Sequence, residues 1–175
     1  MHHAEWHADA SFAVHSDFKS HTGATQAFKG GRGTLQSASA KQKSNSSSST
    51  ASELTAVDHV LPMVSWTPLF LEKQGHPVET NTVCQDNKSA ILLEKNGKKS
   101  SGKRTRALNI RCFMVADCVE RGTAQIVCCP TDKMPADHVT KGSQGVKFSQ
   151  FRRRAMGMDP EPDMENIDKC GLLEQ

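Results

Sequence analysis

The sequence predicts one α/β domain built on a five-stranded mixed sheet with helices on its faces. Its length of 175 residues suits a single core. Segments with alternating apolar residues occur early in the chain, and segments with helical spacing separate the later strand-like runs. Short turns join antiparallel strands, whereas helical crossovers join parallel ones. We therefore expect the first three strands to be antiparallel, with parallel pairs added later.

The first strands are predicted from period and turn chemistry. Residues 5–14 place apolar side chains at every second position, which predicts a half-buried strand. Residues 23–28 and 33–40 flank a glycine-rich turn and predict a hairpin that continues the sheet. The serine-rich stretch Ser44–Ser49 predicts a flexible connection.

A long helix is predicted next. Thr50 and Glu53 fit the T-x-x-E capping box, and apolar residues follow at helical spacing. Pro62 is expected to kink the helix or remove one of its hydrogen bonds, and Gly75 ends the unit. The remaining predicted elements are a strand at 78–84, a helix at 88–96, a helix at about 106–121, a strand at 125–129, a short helix at 134–141 and a last helix at 146–156.

Charge divides the chain into two parts. The net charge is +3, but residues 158–175 hold six acids and one base, so the rest of the chain carries +8. We expect a domain over residues 1–157 and an acidic, disordered tail over 158–175. Residues 98–106 hold five bases, a pattern that favours a polyanionic partner or else marks a solvated loop.

Composition also excludes several classes of protein. No apolar stretch is long enough to span a bilayer, and the first residues lack the pattern of a secretory signal. The six cysteines include no C-x-x-C pair, which favours buried, reduced thiols. We therefore expect an intracellular protein, cytoplasmic or nuclear, with no membrane partner.

Acidic residues stand at the ends of the predicted elements, namely Asp9, Glu53, Asp86 and Asp137. Four converging carboxylates would repel one another unless cations bind between them. Carboxylate oxygens suit Mg²⁺ or Mn²⁺, and two such ions can support phosphodiester hydrolysis. Each acid also has a structural interpretation: Glu53 as a reciprocal cap, Asp9 as an exposed strand residue, Asp86 as a turn or cap residue and Asp137 as a helix-start residue.

Four segments stand in the order and spacing of a known module: the stretch from WHADAS to STASEL, then VCQDNKSAILLEKNG, RTRALNIRCFMVADCVERG and VCCPTDKMPADHVTK. Over residues 5–156 the chain resembles the ribonuclease H domain of copia-type retrotransposon Pol polyproteins. The combination of QDNKSAI and ADHVTK is the specific part of the resemblance.

The resemblance implies a ribonuclease H-like fold and an endonuclease that cuts the RNA strand of RNA–DNA hybrids with two Mg²⁺ ions, Mn²⁺ being an alternative. It implies that Asp9, Glu53, Asp86 and Asp137 are the catalytic metal ligands, with Asp86 contacting both ions. It further implies a reverse transcriptase region in the parent polyprotein as a partner. The residues proposed to contact nucleic acid are Ser11, Asn87, Ser89, Lys103, Arg104 and Arg106, the first three being equally well explained as caps or exposed polar residues.

Three positions depart from the family pattern. Ala107 and Asn109 replace a histidine and an aspartate in the segment that leads into the second long helix, and Gly142 follows Lys141 where proline is common. None of the three changes a carboxylate of the predicted site. They favour an alternative in which the chain is a retrotransposon relic that binds nucleic acid without cutting it.

Overall fold

The computed structural model describes residues 2–31, 33–96 and 106–158. Five strands form one sheet: β1 (His2–Ser11), β2 (His21–Phe28), β3 (Gln36–Lys41), β4 (Val78–Gln85) and β5 (Gln125–Cys128). The helices are α1 (Ser49–Lys73), α2 (Lys88–Asn96), α3 (Arg106–Glu120), α4 (Asp137–Thr140) and α5 (Gly145–Ala155), with a 3₁₀ turn at Thr131–Lys133. The predicted tail, apart from Met158, and most of the basic segment 98–106 lie outside the described residues.

The sheet has the order β3-β2-β1-β4-β5, with β1 at its centre. β1 pairs antiparallel with β2, which pairs antiparallel with β3, while β4 runs parallel to both β1 and β5. The predicted mixed sheet, with its first three strands antiparallel, is confirmed.

The prediction of a half-buried first strand is wrong, because β1 is covered on both faces. Trp6 and Ala8 belong to the main core with α1 and α3. The opposite face carries His7 and Asp9, which are also buried. A central strand that is covered on both sides has no face exposed to solvent. The alternation in its sequence therefore distinguishes a face of buried apolar side chains from a face of buried polar ones.

The start of α1 also differs from the prediction. Ser48 is the N-cap, and its hydroxyl accepts a hydrogen bond from the backbone N–H of Ala51 at 3.1 Å. Helical structure begins at Ser49, inside the predicted connection Ser44–Ser49, so Glu53 lies beyond the position that a capping box requires. The helix continues through Pro62 to Lys73. The last two serines of the predicted connection therefore form the N-cap and the first residue of α1.

The layers on the two faces differ in size. α1 and α3 cover one face, where Val57, Val60 and Val115 are fully buried. A smaller cluster lies on the other face, formed by Cys84, Cys129, Met134 and Ala136 with Val139 packed against it. Cys84, Cys128 and Cys129 are buried and Cys118 is partly buried, in agreement with the burial predicted for these side chains. None of the described helices has the length and hydropathy that crossing a bilayer requires.

Glu94 is a fully buried carboxyl on α2. Burial raises its pKa to about 8. A Gln85 side-chain nitrogen turned toward it lies 3.1 and 3.2 Å from its two oxygens. The unfolded chain releases this proton near the ordinary value of 4.5, whereas the folded chain holds it until about pH 8. Between these values the folded state binds more protons, so Glu94 makes stability fall as pH rises.

Glu94→Gln is expected to remove the part of the loss of folding stability with rising pH that the ionisation of Glu94 causes. The amide stays neutral at every pH, so the variant should match the parent near pH 4 and exceed its stability near pH 8 by a few kcal/mol. Urea unfolding of both proteins across this range measures the difference. Parallel pH profiles for the two proteins would show that Glu94 does not titrate in this window.

Candidate active site

Three carboxylates from separate elements meet where the neighbouring strands β1 and β4 end. Asp9 lies near the end of β1, Asp86 directly follows β4, and Glu53 lies in the second turn of α1. One oxygen from each lies within 4.8 Å of the other two. The parallel register that pairs His7 with Cys84 brings the ends of β1 and β4 side by side. The sheet and α1 together therefore bring three of the four predicted ligands to one place.

The fourth predicted ligand, Asp137, is the first residue of α4 and lies outside this group of three. Its carboxylate forms an ion pair with Lys141 on the next helical turn. Asp137 is nevertheless close enough to raise the pKa of Asp9 through charge repulsion. The structure thus places Asp137 beside the three-carboxylate cluster, paired with Lys141, the residue that follows α4.

Two threonine hydroxyls hold the carboxylates of the strands. Thr140 of α4 donates to Asp9 Oδ2, and Thr131 of the 3₁₀ turn donates to Asp86 Oδ2 at 2.9 Å. Sequence reasoning assigned neither threonine a role, although Thr140 belongs to the motif ADHVTK. The motif could therefore have pointed to Thr140 as a site residue. Thr131 lies in a loop whose sequence has no pattern that would identify it.

Glu53, like Asp9, is a buried member of the cluster. Burial, and after it the charges of Asp9 and Asp86, raise its pKa to about 8. A hydrogen bond from the backbone N–H of Ala10 acts in the opposite direction. Among the described residues, nothing donates a hydrogen bond to its buried Oε2. The pKa of Asp9 is also raised, mainly by burial.

This donor set fits a divalent metal ion. Three carboxylates in mutual contact range repel one another, and a bound cation turns that repulsion into attraction. Oxygen ligands of this kind suit Mg²⁺ or Mn²⁺, which keep part of their water shell and accept phosphate oxygens. The unpartnered Glu53 Oε2 is the atom that such an ion would satisfy.

The residues predicted to contact nucleic acid fall into different settings. Ser11 is buried at the end of β1, and its hydroxyl has no partner among the described residues. Asn87 caps α2, accepting a hydrogen bond from the backbone N–H of Ala90 at 3.1 Å, and its contact with nucleic acid stays a prediction. Ser89 is exposed on the first turn of α2. Lys103 and Arg104 lie outside the described residues, and Arg106 is described only as the first residue of α3.

Gly23 allows α4 to approach the sheet. It pairs with Asp9 across β1 and β2. A Cβ at this position would overlap the methyl group of Thr140 and would lie 2.8 Å from Val139 Cγ2 and 2.9 Å from the Ala136 carbonyl oxygen. The strand position against which α4 packs therefore requires a residue without a side chain, which is glycine.

Gly23→Ala is expected to push α4 away from the sheet and to weaken the Thr140–Asp9 hydrogen bond. Crowding of this kind costs about 1–3 kcal/mol of folding free energy. Thermal unfolding and metal binding, both compared with Gly142→Ala, would measure the effect. A Cβ at Gly142 meets nothing within 4 Å, so that control should behave as the parent chain does. Equal behaviour of the two variants would show that α4 does not depend on this close approach.

Known structures share this fold. LC11-RNase H1, isolated from compost by a metagenomic approach, has a TM-score of 0.57 at 17% identity and covers 79% of this chain and 93% of its own. The same enzyme in complex with an RNA/DNA hybrid has a TM-score of 0.54 at 15% identity, covering 78% of this chain and 92% of its own. The N-terminal RNase H domain of a Mycobacterium tuberculosis protein, fused to maltose-binding protein, has a TM-score of 0.51 at 12% identity, covering 80% and 91%. The fold is that of the ribonuclease H class.

A sequence relative identifies the family within this class. The Retrovirus-related Pol polyprotein from transposon TNT 1-94 of Nicotiana tabacum is 30% identical over 140 residues, which are 80% of this chain. The chain spans only about 10% of that polyprotein. It matches no protein-family model. The chain belongs to the ribonuclease H domains of retrovirus-related Pol polyproteins.

Proposed function

We propose that this chain is a divalent-metal-dependent endonuclease that hydrolyses the RNA strand of RNA–DNA hybrids. The observation that supports the proposal most directly is the cluster in which Asp9 and Asp86, at the ends of two parallel strands, meet Glu53 of α1. A ribonuclease H of the same fold has been solved with an RNA/DNA hybrid, which supports this substrate class.

Each carboxylate has a distinct task in the proposed reaction. Asp9 and Asp86 are held by threonine hydroxyls, so their free oxygens have fixed directions. Glu53 brings a charge that its buried surroundings disfavour, which makes it dependent on a cation. Bound Mg²⁺ or Mn²⁺ would supply activation of the attacking water and charge neutralisation at the phosphate.

The bonding changes follow from the class of reaction. The oxygen of water forms a bond to phosphorus, and the bond from phosphorus to the 3′ oxygen breaks. The water loses a proton and the leaving oxygen gains one, so that the products carry a 5′-phosphate and a 3′-hydroxyl. Selection of the RNA strand would depend on the 2′-hydroxyl and groove shape, with little dependence on base sequence.

The related polyprotein suggests which protein region would lie next to this chain and where its substrate would come from. Because the chain corresponds to a small part of a retrovirus-related polyprotein, we propose that a reverse transcriptase region is its natural neighbour. The hybrids made during reverse transcription would then be its substrates. Binding without cleavage is the competing function, favoured by Ala107 and Asn109 in place of the family residues.

The deciding experiment incubates the purified chain with an RNA–DNA hybrid labelled on either strand. Cleavage of the RNA strand in Mg²⁺ or Mn²⁺, and its loss in EDTA, is the expected result. Duplex DNA and duplex RNA of the same sequence are the controls. Hybrid binding without cleavage in either metal would favour the binding-only relic and overturn the nuclease proposal.

A further inference from the structure

The segment from Lys141 to Gly157 carries five bases and no acid. Three of these bases, Lys147, Arg152 and Arg154, are exposed on α5, and we refer to them as the α5 basic surface. Among the described residues, no carboxylate forms an ion pair with any of the three. The charge of this surface is therefore not neutralised within the described part of the fold.

α5 lies on the same side of the sheet as α4. Phe151 stacks on His138 of α4 with ring centroids 4.5 Å apart, and the backbone N–H of Thr34 donates to the Ala155 carbonyl at 3.0 Å. A cavity of about 280 Å³ remains between α5 and strands β2 and β3, lined in part by Thr25 and Ser37. No residue of α5 is buried. Its bases are thus not explained by packing against the core.

The basic surface reaches the neighbourhood of the carboxylate cluster. Phe151 lies between Lys147 and Arg154 on α5 and stacks on His138, so α5 packs directly against α4. His138 directly follows Asp137, and Thr140 of the same helix donates to Asp9. The α5 basic surface is therefore separated from the carboxylate cluster by one short helix, α4.

A polyanionic ligand would explain why exposed bases lie on a helix near the carboxylate cluster. The cluster itself repels phosphate, so a chain that binds nucleic acid there needs cations close by to offset the repulsion. Long basic side chains on an exposed helix contact phosphate groups without reading base sequence. We propose that the α5 basic surface binds the sugar–phosphate backbone of the nucleic-acid duplex next to the carboxylate cluster, an inference that rests on the proposed nuclease function for the identity of that duplex.

The test compares two double variants that each remove two positive charges. Lys147→Gln/Arg154→Gln removes charge from the α5 basic surface. Lys29→Gln/Lys73→Gln is the matched control, because Lys29 follows the far end of β2 and Lys73 ends α1, both at the end of the sheet away from Asp9. Affinity for a fluorescent RNA–DNA hybrid is measured in EDTA over a range of KCl concentrations, which separates binding from cleavage and from metal.

The surface variant should bind about three- to tenfold more weakly at 0.1 M KCl, and the slope of log K against log salt should become shallower by about 1 to 2. The control should keep the parent slope. Equal slopes in all three proteins would overturn the inference, and cleavage by the parent chain would then leave the nuclease proposal standing. A parent chain that never cleaves, with binding still dependent on α5, would support the inference and overturn the nuclease. If the surface variant lost binding to phosphatidylserine vesicles and kept binding to the hybrid, the surface would instead be assigned to membranes.

Discussion

Asp86→Asn is expected to lower hybrid cleavage by several orders of magnitude while leaving the chain folded. The asparagine can still accept the hydrogen bond from Thr131, so the end of β4 keeps its geometry. It removes one negative charge from a site that has to hold cations beside a phosphate. Affinity for the hybrid in EDTA should stay similar or increase, because one source of repulsion toward phosphate has been removed. Single-turnover cleavage, anisotropy and thermal unfolding measure the three quantities.

The matched control for this variant is Asp117→Asn, which changes an exposed carboxylate on α3 that pairs with Arg121. Exposed ion pairs contribute little to stability, so this control should unfold and cleave as the parent does. Cleavage at the parent rate by Asp86→Asn would remove Asp86 from the site. A collapse of its melting temperature would instead show that Asp86 supports the fold.

Glu53→Gln is expected to abolish cleavage without destabilising the metal-free chain. Burial and the charges of Asp9 and Asp86 raise the pKa of Glu53 to about 8, so the ionised form is unfavourable without a cation. A neutral amide removes that cost, and the melting temperature in EDTA should stay equal or rise. Mg²⁺ should stabilise the parent chain but not the variant, because ligands that bind only the folded state raise its stability.

Glu94→Gln serves as the control for this second variant. Glu94 is also a buried carboxyl with a pKa of about 8, but it is not part of the three-carboxylate cluster. It should gain stability at neutral pH and keep both cleavage and the response to Mg²⁺. If Glu53→Gln also kept both, Glu53 would be a buried structural acid and not a metal ligand.

The sheet was predictable because its order follows from local rules. Short turns require β1, β2 and β3 to be antiparallel, and the helical crossover through α1 requires β4 to be parallel to β1. The burial of β1 on both faces was missed, because periodicity cannot show whether a second layer covers a strand. That layer includes α4, a single helical turn that has no hydrophobic period of its own.

The site could be predicted only in part for similar reasons. The resemblance assigned Asp9, Glu53 and Asp86 to one place, and the fold brings them together. The capping box at Thr50 was wrong because Ser48, two residues earlier, already caps the helix. The ion pair of Asp137 with Lys141 and the threonine hydrogen bonds depend on how loops cross the strand ends, which no single segment encodes.

The central position of β1 has a consequence for how the chain folds. Its partner on one side, β2, follows after a short loop, but on the other side His7 pairs with Cys84, which lies far along the sequence. Local contacts form quickly and distant ones slowly, so the hairpins of β1, β2 and β3 should precede the pairing of β1 with β4. Until that pairing, β1 presents an open edge that can join other chains. The same late step brings Asp86 to Asp9, so a partly folded chain has no assembled site and is most exposed to aggregation.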